Sequence, residues 1–140
     1  MTPFRLLVGA AFAYATVAAL FSGMRLLLAQ RFLPFHQQAV GVLWDDIPGR
    51  TQLLLLALMR VAGLGSLGAA LLALAACAGG SLGLGRIASL VFGLSVVAYW
   101  AGLFGVTSHV HGATGAATPY RTCCSVAVVS LAGCLGLLVA

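Results

Sequence analysis

The chain has 140 residues, 62% of them hydrophobic and only 6% charged, with a mean hydropathy of +1.13. A soluble domain carries about 25% charged residues, so this chain lacks the polar surface to live in water and reads as one polytopic membrane domain. Its net charge of +5 comes from single scattered arginines, which excludes the basic stripe of a nucleic-acid-binding protein and suits contact with lipid phosphates.

The first apolar span is predicted from Phe4 to Ala29. Arg5 ahead of an apolar run, with Ala13 and Ala15 spaced as in a cleavage site, also resembles a secretory signal. The run continues well beyond that point, so the segment reads as a retained helix. Ala11, Ala15, Ala19 and Gly23 recur every fourth residue, a small-residue ridge that lets a second helix approach closely in lipid.

A polar stretch, Gln30 to Arg50, follows and holds both acids of the chain, Asp45 and Asp46. It is too short and polar to span. Its interleaved Phe32, Leu33, Phe35, Val40, Val42 and Leu43 predict an amphipathic segment lying at the membrane surface, with Trp44 in the aromatic belt.

The second span is predicted from Ile47 or Thr51 to Cys77, with Asp45 or Asp46 capping its first N–H groups and Pro48 in its first turn. Ala62, Ser66 and Ala70 make a second small ridge. A glycine-rich turn, Ala78 to Arg86, leads to a third span from Ile87 to Val106, with Ser89/Gly93 and Ala98/Gly102 as close-packing pairs. A second polar connection, Thr107 to Arg121, ends in Thr118-Pro119, read as the cap and first turn of a fourth span from Tyr120 to Ala140. The fold class expected is all-α, a four-transmembrane-helix bundle with an interfacial segment between the first two spans.

Four spans bring the first and third connections to one side and both termini to the other. The loop side then gathers His36, Asp45, Asp46, His109, His111, Arg31, Arg50, Arg121 and the glutamines, against Arg5 and Arg86 on the terminal side. Three loop arginines against two, or four with Arg25, lean towards a cytoplasmic loop side by too small a margin to fix orientation.

Several constellations on that side carry candidate chemistry. Arg60 falls ten to fourteen residues into the second span, where an arginine costs about 2.5–3.5 kcal/mol at the helix centre. It calls for snorkelling, a wet cavity, an anionic ligand or a counter-charge, and Asp45 and Asp46 are the only acids in the chain. Arg25, near the end of the first span, can snorkel. The candidate ligand-contacting residues are therefore Arg60 and Arg25, with Asp45, Asp46 and Trp44 from the first connection and Tyr120 and Arg121 from the third.

A transition metal is the one cofactor the residue types suggest. His109 and His111 share a side only in an extended segment, which Gly112 and Gly115 favour, and His36 could complete a zinc or copper site. On a helix the pair would point about 200° apart. Solvated loop histidines are the simpler reading. The four cysteines form no C-x-x-C and read as buried thiols.

The segment GATGAATPYR lacks the Walker spacing, and Ser108 beside His109 does not make a triad. The chain resembles small multidrug transporters in length and span number, but no span contains the acid expected there. The balance favours a non-enzymatic accessory or scaffolding subunit, partnered by lipid and by other membrane helices or copies of itself. The alternative is a protein that binds or transports a small molecule, an anion or a metal at the loop face. Richness in Ala, Gly, Leu and Arg suggests a GC-rich bacterial genome, hence the inner (cytoplasmic) membrane.

Overall fold

The computed structural model describes residues 3–79 and 85–139, with side chains from residue 5 onward. Four long helices dominate: α1 (Pro3–Leu27), α3 (Gly49–Ala78), α4 (Gly85–Thr114) and α5 (Tyr120–Val139), with a short α2 (Pro34–Val40) and one 3-10 turn at Trp44–Asp46 between α1 and α3. All four long helices are apolar and long enough to cross a bilayer. The expected glycine-rich turn falls mostly on residues 80–84, outside the described residues.

The helices form a square in which α1 packs on α3 and α5, and α4 packs on the same two. Neighbours run antiparallel. Gly23 meets Gly63 and Leu67, while Gly136 near the end of α5 meets Val8 near the start of α1. The expected ridge of α1 is the contact edge: Ala11, Ala15, Ala19 and Gly23 are all buried. On α3, Ser66 and Ala70 turn inward as expected, but Ala62 faces out and Gly63 takes its place at the closest approach.

Glycines on two helices make room for one large side chain. Phe12 is 0% exposed, and its ring lies over Gly93 of α4 and Gly133 of α5. Val96, Trp100 and Val126 continue the same core towards the polar end of the bundle. Two hydroxyl pairs tie helices together: Ser66 with Tyr99 at 2.6 Å across α3 and α4, and Tyr14 with Ser125 at 3.1 Å across α1 and α5. Outside, Leu53, Leu71, Val17 and Ile87 are widely exposed. That is the surface of a protein solvated by lipid, where packing rather than water exclusion holds helices together.

Two helix ends differ from expectation. The third span does not stop at Val106 but continues as α4 to Thr114. The hydroxyls of Thr107, Ser108 and Thr114 return to carbonyls of the preceding turn, so they do not pull the backbone out of the helix. Gly115, at φ 68°, ends it and donates its N–H to the His111 carbonyl. Thr118 is not the cap of α5; its hydroxyl donates to the Thr107 carbonyl at 2.8 Å and pins the α4–α5 connection back on α4.

Candidate functional site

The polar end of the bundle is built from the α1–α3 connection, the ends of α1 and α4 and the starts of α3 and α5. Pro34 starts α2 in the position where its missing N–H costs nothing. Gly41, at φ 69°, ends it. The connection does not trail into water: Phe32, Ile47 and Met59 are buried together, with Leu26, Leu33, Trp44, Leu55 and Leu56 around them. Phe32 and Trp44 lie 4.8 Å apart between ring centroids. Gln38 accepts the Ala117 N–H at 3.1 Å, and Gln52 donates to the Trp44 carbonyl at 2.8 Å. The two loops are thereby stitched into one cap.

Asp45 and Asp46 do not do what their position suggested. Both are exposed in the 3-10 turn, and α3 starts without a side-chain cap. The Pro48 carbonyl instead accepts from the Thr51 and Gln52 N–H groups. Among the described residues neither acid forms an ion pair with Arg25 or Arg60. The Thr51 N–H, one of the groups a carboxylate cap would take, is satisfied by the Pro48 carbonyl.

Arg60 is exposed and lies close to the end of the bundle. Gly63, one turn further along α3, packs against Leu27, the last residue of α1. Arg60 and Arg25 therefore sit at about the same level on neighbouring helices. With 30 residues α3 is about 45 Å long, against a hydrocarbon core of about 30 Å. Its first three turns run alongside the cap, which brings Arg60 to the polar end of the bundle.

The histidines are kept apart. His109 and His111 both lie on α4 rather than in a loop, so they point about 200° from each other. His109 is exposed; His111 stacks on Tyr120 at 4.8 Å and shares a 2.7 Å hydrogen bond between Nδ1 and the Ala116 carbonyl. His36 sits in α2 between Phe35 and Phe32, at centroid distances of 4.0 and 5.6 Å. Among the described residues no three His, Cys, Asp or Glu side chains gather in a metal-holding group. Of the four free cysteines Cys123 and Cys134 are buried as expected, but Cys77 is exposed and Cys124 half-buried.

Burial lowers the pKa of His36 below its ordinary 6.5. An imidazole with a depressed folded pKa is protonated first in the unfolded chain. The cap therefore loses stability as pH falls through 6.5 towards the folded value, and is indifferent to pH above it. Hydrogen exchange of residues 32–40 between pH 5 and 8 should show faster cap opening at the acid end, after correction for intrinsic exchange. His36→Phe should flatten that dependence; an unaltered pH profile would remove His36 as its source.

Two surface features extend residues the sequence had singled out, Tyr120 and Arg121 in one case and Ala98 and Gly102 in the other. A shallow groove of about 570 Å³ runs between α4 and α5, lined by Phe104, Tyr120, Arg121, Cys124, Ser125, Val128 and Val129. On another flank of α4, Ser95, Ala98, Gly102, Gly105, His109 and Gly112 are all exposed. They recur at alternating steps of three and four. A Cβ on Gly102, Gly105 or Gly112 would meet nothing within 4 Å. The spacing was in the sequence; which flank it faced was not.

The fold and its surface define a small integral membrane protein with four helices of membrane-spanning length and one polar, capped end. Comparison with protein-family models, with functionally characterised proteins and with solved structures finds no match.

Proposed function

We propose that this protein is a non-catalytic subunit of a membrane assembly that uses α4 to bind another transmembrane helix. The exposed row Ser95, Ala98, Gly102, Gly105, His109 and Gly112 carries this reading. Steps of three and four average 3.5 residues, the repeat that keeps one helix face against a partner in a left-handed crossing. In lipid, small residues on such a face permit close backbone approach, and that packing is the main drive for association. Gly93 and Ser89, the other small pair of α4, are already used inside the bundle; the outward row is not.

Orientation follows from charge. Arg25, Arg31, Arg50, Arg60 and Arg121 belong to the capped end, and Arg5 and Arg86 to the other. Five against two favours a cytoplasmic cap by the positive-inside rule, with both termini on the far side of a bacterial inner membrane.

Extraction in mild detergent should give a species larger than the monomer, as another copy or a second subunit, by light scattering. Gly102→Leu with Gly105→Leu should shift it to the monomer without lowering helix content. A monodisperse wild-type monomer in several mild detergents would defeat this reading.

A further inference from the structure

Beyond helix association, we propose that the groove between α4 and α5 is a binding site for an anionic phospholipid, with Arg121 holding the headgroup phosphate. The groove has two chemically distinct parts. Its mouth is Tyr120 and Arg121, in the first turn of α5. Its floor and walls are Phe104, Val128 and Val129, and Val128 is 61% exposed. Seven residues separate Arg121 from Val128, or about 10 Å along the helix. That descends well into a leaflet whose hydrocarbon half is about 15 Å thick. A cation at the surface end and an apolar trough leading inward match one ligand shape, a phosphate joined to an acyl chain.

The cation is held in place but not neutralised. Arg121 donates from Nε to the Tyr120 hydroxyl at 3.2 Å, and its guanidinium lies 5.8 Å from the centroid of that ring. Tyr120 is itself stacked on His111 at 4.8 Å, so the support reaches back to α4. The terminal guanidinium nitrogens make no hydrogen bond within the described residues and suit a phosphate's oxygens. The start of α5 adds the positive end of its dipole.

No acid lines the groove. The ammonium of a zwitterionic headgroup would find no partner there, while a net-negative headgroup meets only positive charge. The groove's flank of α4 differs from the row of small residues, so a lipid here and a helix there are compatible.

The test is native mass spectrometry of the full-length chain in detergent, with dioleoyl phosphatidylglycerol or dioleoyl phosphatidylcholine added. Wild type should retain phosphatidylglycerol about fivefold better, the effect of one arginine beside an anionic headgroup. Arg121→Gln should erase that preference, and Arg86→Gln, at the opposite end, should leave it intact. Val128→Trp, which fills the trough, should weaken retention of both lipids; if it does not fold, Val128→Phe serves the same purpose. Equal retention of the two lipids by wild type would overturn the proposal, as would Arg121→Gln and Arg86→Gln behaving alike. Displacement of phosphatidylglycerol by millimolar inorganic phosphate would reduce the site to a simple anion contact and overturn the role of the trough.

Discussion

Leucine at Gly63 is expected to be among the most damaging single changes in the bundle. A Cβ at this position would stand 2.9 Å from the Gly23 carbonyl oxygen and 2.9 Å from Leu27 Cγ, with the Leu27 nitrogen at 3.1 Å. Two of those three atoms are backbone, so no rotamer change relieves the clash; α1 and α3 must separate. Overpacking of a core costs about 1–3 kcal/mol when side chains can adjust, and a backbone obstacle should bring the cost to about 3 kcal/mol or more. The proper comparison is Gly68→Leu, five residues on in the same helix, where a Cβ meets nothing within 4 Å. Denaturation in mixed micelles should show a large loss for Gly63→Leu and little change for Gly68→Leu. Equal losses would mean that the effect is one of leucine in α3, not of helix approach.

Gly63 and Gly68 also show what sequence can reveal in such a chain. Hydropathy located all four spans, because burial in lipid demands apolar length whatever the packing. The ridge from Ala11 to Gly23 was legible because its four-residue step runs unbroken over four positions, although Gly9, Ala10 and Ala13 add small residues on other faces of α1. On α3 small residues occur all round the helix, at Ala62, Gly63, Gly65, Ser66, Gly68, Ala69 and Ala70, so spacing alone does not choose the face. On α4 the same ambiguity made Ser89/Gly93 and Ala98/Gly102 look alike, yet the first pair faces inward and the second outward.

The polar end was harder to read for a different reason. Glycine and histidine after Val106 look like a loop by composition, yet a helix already running needs only local hydroxyl-to-carbonyl bonds to continue. That extension moved His109 and His111 from a strand-like segment, where they could share a ligand, to opposite sides of α4. Arg60 looked deep because its depth was counted from the start of α3. Its true level depends on where α1 ends, and only the Gly63–Leu27 contact supplies that. Asp45 and Asp46 were assigned work because they were the only acids, and scarcity is not geometry.

Truncation of Phe12 should be the second large effect, and it can be made diagnostic. Among the described residues Phe12 is the largest fully buried side chain, at 0% exposure, and two of its neighbours are glycines that cannot grow into a void. In lipid the unfolded helix keeps its phenyl ring in an apolar medium, so the transfer part of the usual loss falls away. The cavity part remains, and Phe12→Ala is expected to cost about 2–4 kcal/mol. Gly133→Leu alone should also destabilise, because a Cβ there already stands 3.2 Å from the Phe12 ring and from Ala11 Cβ. Combined, the leucine can occupy the space the ring has left. The double variant should therefore recover about 1–3 kcal/mol relative to the sum of the single losses. Helix content by circular dichroism and unfolding in mixed micelles give all four corners of the cycle. Strict additivity would mean that Phe12 and Gly133 do not share that space, and the interlocked core described above would have to be abandoned.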